Sequence, residues 1–188
     1  MTLNQEMVHH LRALTRFIYV VTDEEDVFIQ DFGEKMAKHA DRIWVFNAGL
    51  GLLKIKDLVN DWKTRAHQAN AMDINAALVQ IYKDDPRENE HFYLITDPEV
   101  HLDDAHIVRR VLNIAHQLHQ DIRIVKCIIF IGSVRFIPRK LARYIEVVNC
   151  HGMPKEYLQK VVSACCEQLQ VPQPDDIENL YRGFTSYE

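Results

Sequence analysis

The stretch IRIVKCIIFI, residues 122–131, decides the fold class of this chain. Only Arg123 and Lys126 interrupt its run of apolar and β-branched residues, and the run stops at Gly132-Ser133. A strand that is apolar on both faces is typical of a parallel sheet covered by helices on both sides. The stretch therefore predicts a buried strand in a mostly parallel sheet.

Four shorter runs have the same character, because β-branched and aromatic residues cluster in them without helical spacing. They are residues 16–21, 42–46, 92–96 and 144–148. None of the five runs alternates cleanly between apolar and polar residues, which again indicates strands covered on both faces. We therefore expect a five-stranded, mostly parallel sheet.

Helical patterns long enough for crossover connections separate the strands. Residues 23–39 and 103–120 carry apolar side chains at helical spacing behind acidic first turns, where carboxylates complement the helix dipole. Two shorter helices are predicted, one over about residues 73–82 and one that begins at Pro138 and ends before Tyr144. The expected fold is an α/β domain with helices on both faces of the sheet.

The two ends of the chain differ from this alternating centre. Residues 1–14 are expected to form an N-terminal helix and residues 15–152 the α/β core. Residues 153–188 switch to helices only, with one predicted to end near Leu169 and a short one over residues 175–181. This last segment is too short to have a core of its own.

Composition and charge limit the functions open to the chain. Its 188 residues are 47% hydrophobic with 6 Gly and 6 Pro, which excludes a disordered or low-complexity protein. The net charge of −5 disfavours a general nucleic-acid coat, because phosphate binding needs surplus Lys and Arg. Four cysteines without a disulfide or metal-binding spacing, no signal-like N-terminus and no membrane-length apolar run predict a cytoplasmic protein without a membrane partner.

Carboxylates follow the first predicted strand, at the sheet edge where ligands gather in open α/β folds. The segment Thr22-Asp23-Glu24-Glu25-Asp26 contains four of them. A nucleotide-binding version of this fold would carry G-x-x-x-x-G-K-[ST] here, and no other stretch of the chain supplies that motif. Thr22 to Glu25 therefore predict a degenerate phosphate-loop position that repels a triphosphate.

Two further strand ends carry candidate groups. The third predicted strand runs into Asp97-Pro98-Glu99, similar to the acidic strand end that holds Mg²⁺ in P-loop ATPases, although Pro98 separates the two acids. The fourth ends in Gly132-Ser133, where the same enzymes place a group that senses the terminal phosphate. Asp97 and Glu99 thus resemble a degenerate Walker B pair, and Ser133 resembles a sensor-1 residue.

Taken in order, these segments resemble the AAA+ ATPase core. The likeness is greatest to the N-terminal ATPase-like domain, lacking the P-loop, of plastid and cyanobacterial AAA proteins with a second, intact ATPase domain downstream. It covers about residues 15–185, and Thr22-Asp23-Glu24-Glu25 resembles the Thr-x-Glu-Glu sequence of that domain. The other segments that carry it are residues 92–97, 106–112, 128–131, 136–141 and 144–148.

This resemblance implies a catalytically inactive assembly or adaptor domain. It would hold no cofactor, would pack against like subunits or an active AAA+ ATPase, and would end in a partial helical lid over residues 153–188. In AAA+ rings an arginine before the fifth strand reaches the neighbouring subunit's nucleotide site. Arg143 falls at that place, with Arg139 as second choice, and the alternative for both is a solvated surface arginine.

Acidic and basic residues are segregated along the chain. Residues 83–104 contain eight acids against two basic residues, whereas residues 109–143 contain eight basic residues against Asp121 alone. Such polarity favours a head-to-tail interface, for which Arg109, Arg110 and Arg135 are candidates. Two solvated faces, or contact of the basic segment with nucleic acid, are the alternatives.

A second hypothesis gives the carboxylates chemistry of their own. Glu24 or Glu25, together with Asp97 and Glu99, mimics the acidic Mg²⁺ site of Toprim-type folds, which would make the chain a Mg²⁺-dependent phosphotransferase or nuclease. Pro98 stands in the middle of the second acidic motif, and no glycine follows the first acid. No spacing of histidines or cysteines predicts a further metal ligand.

Overall fold

A computed structural model describes residues 5–56, 73–150 and 155–173. Six strands in these ranges form one sheet in the order β3-β2-β4-β5-β1-β6. Only β3 pairs antiparallel, so the sheet is mostly parallel, as predicted. The strands are β1 (Phe17–Val21), β2 (Ile43–Asn47), β3 (Gly51–Lys54), β4 (His91–Thr96), β5 (Lys126–Gly132) and β6 (Glu146–Asn149).

Helices cover both faces of this sheet, which confirms the predicted fold class. The helices α3 and α5 bury their apolar sides in one core, and α1 and α2 contribute Met7, Phe28 and Phe32 to the core on the opposite face. The helices are α1 (Gln5–Arg12), α2 (Glu25–Lys35), a 3₁₀-helix (Ala37–Arg42), α3 (Ile74–Lys83), α4 (Pro98–His101), α5 (Ala105–Gln120) and α6 (Lys155–Leu169).

Strand β5 shows how the sequence produces these two cores. All seven of its residues are buried. Because successive side chains of a strand point to opposite faces, Ile128 and Phe130 enter the core under α3 and α5, whereas Cys127, Ile129 and Ile131 enter the other. Burial on both sides therefore requires the apolar run of residues 127–131.

The prediction of five strands was wrong by one, because β2 continues through a tight turn into β3. The side chain of Asn47 accepts a hydrogen bond from the Gly49 amide at 2.8 Å, and Gly51 adopts a left-handed φ of 77°. Strand β3 has only four residues and three of them are half-buried. So short an edge strand gives no apolar run to recognise.

Several boundaries also differ from the predictions. The fourth predicted strand begins at Lys126 instead of residue 122, because a turn intervenes in which the Ile124 amide donates to the Asp121 carbonyl at 3.2 Å. The helix predicted from Pro138 is wrong: Leu141 and Tyr144 donate to carbonyls three residues earlier, forming consecutive turns. The last strand then begins at Glu146.

Helix α6 lies in the segment predicted as a partial lid, and the helix predicted over residues 175–181 lies outside the described residues. Within the described ranges, no helix combines the length and apolarity needed to cross a membrane.

Candidate functional site

The carboxyl ends of β1, β4 and β5 lie side by side, because the three strands are parallel neighbours. Three carboxylates from the predicted site meet there: Glu25 at the start of α2, and Asp97 and Glu99 after β4. We call these three residues the acidic pocket. The predictions from separate strand ends thus converge on one edge of the sheet.

Thr22 turns the chain from β1 into α2 and so positions Glu25. It is buried, its amide donates to the Gly132 carbonyl at 2.9 Å, and its hydroxyl accepts a hydrogen bond from the Glu24 amide at 3.1 Å. Glu25 therefore lies in the first turn of α2, where negative charge is stabilised by the helix dipole. Asp23 is exposed, and Glu24 precedes the helix without a side-chain cap.

Backbone conformation brings Glu99 back toward the pocket although Pro98 separates it from Asp97. Asp97 adopts a left-handed conformation (φ 49°, ψ 46°), and Pro98 occupies the first position of the short helix α4. This turn places Glu99 Oε2 over Gly132, so that a Cβ atom built on that glycine would lie only 2.6 Å from it. The same turn of the backbone thus brings both Asp97 and Glu99 into the acidic pocket.

Burial and mutual repulsion make Glu25 unusually hard to ionise. Burial raises its pKa to about 7, and the negative charges of Asp97, Asp26 and Glu99 act in the same direction. The Thr96 hydroxyl acts in the opposite direction and lowers the pKa of Glu25 by a smaller amount. A proton or another positive charge in the pocket would relieve the repulsion.

Four solvent-inaccessible polar atoms around the pocket have no hydrogen-bond partner among the described residues. They are Glu25 Oε1, Thr96 Oγ1, Glu99 Oε2 and His101 Nε2, out of seven such atoms in the described ranges. Burial also lowers the pKa of His101, against the opposing effect of Asp97 and Glu99. Four of the seven atoms thus lie at one edge of the sheet, which distinguishes this edge from the rest of the described residues.

Tyr19 forms the floor of the site from the middle of β1. Its hydroxyl donates to the Val134 carbonyl at 2.7 Å and accepts a hydrogen bond from the Phe136 amide at 3.3 Å. Burial raises the pKa of Tyr19 to about 12; the Phe136 bond opposes this shift and Glu99 adds to it. Tyr19, Thr96 and His101 were not predicted from the sequence, where the only available signal was the polar Thr96 at the end of an apolar strand.

The remaining predicted residues do not join the acidic pocket. Ser133 is exposed directly after β5. Arg143 is exposed, its guanidinium lies 4.6 Å from the ring centroid of its own neighbour Tyr144, and its Nη2 donates to the hydroxyl of that tyrosine. Because β6 begins at Glu146 and runs parallel to β1, Arg143 lies at the amino edge of the sheet, opposite the pocket.

The other predicted arginines are all exposed. Arg139 lies in the turns before β6, and Arg135 lies in the loop after β5, on the same edge as the pocket. Arg109 and Arg110 lie on α5, where Arg110 Nε donates to Asn75 Oδ1 at 2.9 Å. Exposure is what an interface role requires.

The carboxylates do not form an evident metal centre. In residues 5–56, 73–150 and 155–173, no group of three or more His, Cys, Asp or Glu side chains has an arrangement that could hold a metal ion. What the pocket can do is hold a proton at Glu25 or accept hydrogen bonds from a cationic group.

Replacing Glu25 by glutamine should raise the free energy of unfolding at pH 8 by about 1–2 kcal/mol. This is less than the pKa shift alone would give, because the side chain is only half-buried and solvent screens its charge. Since the folded pKa is raised above the unfolded value, the wild type binds more protons when folded and loses stability as pH rises from about 4.5 to about 7. Urea unfolding at pH 5 and pH 8 tests this.

The control for this prediction is Asp23→Asn, which changes a neighbouring exposed acid. We expect this variant to change the free energy of unfolding by less than about 0.5 kcal/mol at either pH. Equal stability of the wild type and Glu25→Gln at pH 8 would contradict the raised pKa of Glu25.

Comparison with known proteins adds a family match. Residues 3–150 match the family described as the SpoVK-like AAA ATPase, N-terminal domain. No curated protein sequence matches the chain.

Solved structures share the fold at low sequence identity. AMPPCP-bound DnaA from Aquifex aeolicus is 12% identical with a TM-score of 0.51, over 97% of this chain and 57% of that one. Drosophila ORC bound to DNA is 11% identical with a TM-score of 0.46, over 90% and 48%. Saccharomyces cerevisiae RIF2 is 13% identical with a TM-score of 0.44, over 85% and 59%. The chain thus spans roughly half the length of these chains, and the DnaA likeness shows a shared fold.

Proposed function

The chain belongs to the family of SpoVK-like AAA ATPase N-terminal domains, and from that premise we propose that it is a catalytically inactive AAA+-like domain that works as an assembly or adaptor module. It docks on like subunits or on an active AAA+ ATPase and requires no nucleotide. Its four free cysteines favour a cytoplasmic location as part of this proposal.

The observation that carries the proposal is the group of carboxyl side chains at the N-terminus of α2. In nucleotide-binding sheets the corresponding helix end receives phosphate. Here Glu25 lies at that helix end, and Asp97 and Glu99 lie close to it. Each pair of like unit charges at about 4 Å costs about 4 kcal/mol at an effective dielectric constant of about 20, so a triphosphate would be strongly disfavoured.

Docking is supported by exposed cations on the opposite edge. Arg143 is held on the ring of Tyr144 at the amino edge of the sheet, and Arg139 is exposed nearby in sequence. An arginine so placed is available to a neighbouring subunit. Arg109 and Arg110 on α5, and Arg135 on the pocket edge, are further candidate contacts. Polarised edges of this kind suit a head-to-tail homo-oligomer or a complex with an ATPase.

The second candidate is a Mg²⁺-dependent phosphotransferase or nuclease, for which the proximity of Glu25, Asp97 and Glu99 is the argument. Against it, no group of three or more His, Cys, Asp or Glu side chains in the described ranges could hold a metal ion. Metal-dependent cleavage of DNA or RNA would support it. A steep salt dependence of DNA binding would instead support a nucleic-acid accessory role for the basic segment.

Calorimetric titration with ATP and Mg²⁺ tests the proposal. We expect no binding tighter than about 1 mM, because ion–ion repulsion outweighs the contacts available. The triple variant Glu25→Gln, Asp97→Asn, Glu99→Gln is the matched control, since any binding gained there identifies charge as the barrier. Micromolar binding to the wild type, or ATP hydrolysis, would refute the inactive assignment.

The mass in solution, alone and mixed with AAA+ ATPases, tests the docking half of the proposal. We expect either self-association or a complex without added nucleotide. A chain that stays monomeric and forms no complex with any ATPase would contradict the adaptor role.

A further inference from the structure

A groove of about 470 Å³ lies at the amino edge of β2 and β4, on the opposite edge of the sheet from the acidic pocket. Strand β2 contributes Trp44 to its lining, β3 contributes Lys54 and β4 contributes His91. We propose that this amino-edge groove binds a small organic acid, with one carboxylate and one hydroxyl or amino group on a single ring. The proposal does not rest on the docking function, and it gives the domain a small-molecule ligand.

Lys54 provides the positive charge that binds the carboxylate. Its Nζ lies 5.5 Å from the centroid of the Trp44 ring, and it forms no ion pair or hydrogen bond with another residue of the described ranges. Contact with an aromatic face orients an ammonium group and leaves N–H donors for other partners. The ammonium group is therefore positioned to bind an anion.

His91 provides a hydrogen-bond acceptor whose orientation is fixed. Its Nδ1 lies 2.7 Å from Asp84 Oδ2, and because a carboxylate only accepts, Nδ1 carries the proton. The Tyr93 hydroxyl donates to the same oxygen and so holds Asp84 in place. In the neutral ring Nε2 is then an acceptor, and it has no partner in the part of the chain that the structure describes. A hydroxyl or amino group of a ligand can donate to it.

The indole ring of Trp44 brings these two polar groups into one site. It stacks on Tyr93 with ring centroids 5.1 Å apart and 17° between the planes, and the His91 ring lies 4.8 Å from it. Lys54 and His91 therefore lie against the same fixed ring, and a ligand of one ring can reach both. Buried Pro86 adds apolar contact, and the volume falls within the range of small-molecule sites, roughly 300–1,000 Å³.

The charges of the groove favour a ligand with a single negative charge. The other charged residues that line it are Asp41, Arg42, Arg87 and Glu88. Arg87 forms salt bridges of 2.7 and 3.1 Å with two aspartates outside the groove, and Arg42 Nε lies 3.9 Å from Asp41 Oδ2. Lys54 is thus the cation of the groove that lacks a carboxylate partner in the described ranges, and a phosphate with two charges would be repelled by Glu88.

Calorimetric titration with 3-hydroxybenzoate at pH 8 tests the proposal. We expect saturable binding with a Kd below about 1 mM. Benzoate, which lacks the donor, and 3-hydroxybenzamide, which lacks the charge, should each bind at least fivefold more weakly. Phenyl phosphate should also bind more weakly than 3-hydroxybenzoate.

Two variants locate the ligand in the groove. Lys54→Met keeps the length of the side chain and removes its charge, so it should weaken 3-hydroxybenzoate at least tenfold and leave 3-hydroxybenzamide unchanged. His91→Asn keeps an N–H group for Asp84 near the position of Nδ1 and removes Nε2. It should lower the affinity for 3-hydroxybenzoate to that for benzoate and leave benzoate unchanged, because each variant couples only to the ligand group that it contacts.

The matched control is Lys56→Met, which removes the charge of an exposed lysine two residues away that does not line the groove. It should bind 3-hydroxybenzoate as the wild type does, and circular dichroism verifies the folding of every variant.

Three outcomes would overturn the proposal. They are the absence of saturable binding of 3-hydroxybenzoate up to about 10 mM, binding that Lys54→Met leaves unchanged, and tighter binding of phenyl phosphate than of 3-hydroxybenzoate. None of them bears on the docking role, which the mass in solution decides.

Discussion

Replacing Lys126 by alanine should lower the free energy of unfolding by about 4 kcal/mol, the largest single effect expected in the domain. The side chain is fully buried in the sheet, and its Nζ donates to the carbonyls of Ile81 at 2.6 Å and Asp84 at 2.7 Å. The Ile81 carbonyl belongs to the last turn of α3, and the Asp84 carbonyl to the residue that follows it. Carbonyl groups at the end of a helix receive no hydrogen bond from a later turn of the helix. The substitution leaves a cavity and two unpaired acceptors.

Lys126→Met separates the two contributions. It keeps most of the buried volume and removes the hydrogen bonds, so we expect a loss of about 2 kcal/mol. Urea unfolding monitored by circular dichroism measures both variants. A loss below about 1 kcal/mol for Lys126→Ala would show that the lysine does not stabilise the end of α3.

The difference in the free energy of unfolding between the wild type and Lys126→Met changes with pH in a defined direction. Burial lowers the pKa of Lys126 to about 8, below its unfolded value of 10.5. The unfolded chain therefore binds more protons in this interval, and the wild type gains stability relative to Lys126→Met as pH rises from about 8 to about 10.5.

Replacing Gly132 by alanine should destabilise the domain by about 2–3 kcal/mol. The new Cβ would lie 2.6 Å from Glu99 Oε2, 3.0 Å from the Tyr19 hydroxyl and 3.1 Å from Pro98 Cδ. Glu99 can move at little cost, but Tyr19 is held by two backbone hydrogen bonds and Pro98 is rigid. The strain therefore cannot be relieved by one flexible side chain.

Gly49→Ala is the matched control, because its Cβ would meet only Asn47 Oδ1 at 3.3 Å in an exposed turn. Thermal unfolding of the two variants should differ clearly in Tm, with Gly49→Ala close to the wild type. Equal stability of Gly132→Ala and the wild type would contradict the close packing of this strand end against the acidic pocket.

The sheet was largely predictable because its strands are buried on both faces and so must be apolar throughout. Strand β3 was not, since a four-residue edge strand with half-buried side chains leaves no such signal. Lys126 stood out in the sequence as an interruption of the strand. Its partner carbonyls lie 42 and 45 residues earlier, and no spacing rule predicts that contact.

The carboxylates of the pocket were predicted for a similar reason. Parallel strands end at one edge, so Glu25, Asp97 and Glu99 could be grouped from sequence alone. How they face one another depends on the left-handed backbone at Asp97, which is uncommon for a residue with a side chain. The sequence carries no mark of that conformation.

The position of β1 within the sheet has a consequence for biosynthesis. Its hydrogen-bonded neighbours are β5 and β6, which leave the ribosome about 110 and about 130 residues after it. At typical translation speeds this apolar segment waits on the order of ten seconds for either of them. The nascent chain is thus vulnerable to aggregation until its final strands emerge, and a chaperone that shields residues 17–21 during that interval would raise the yield of folded protein.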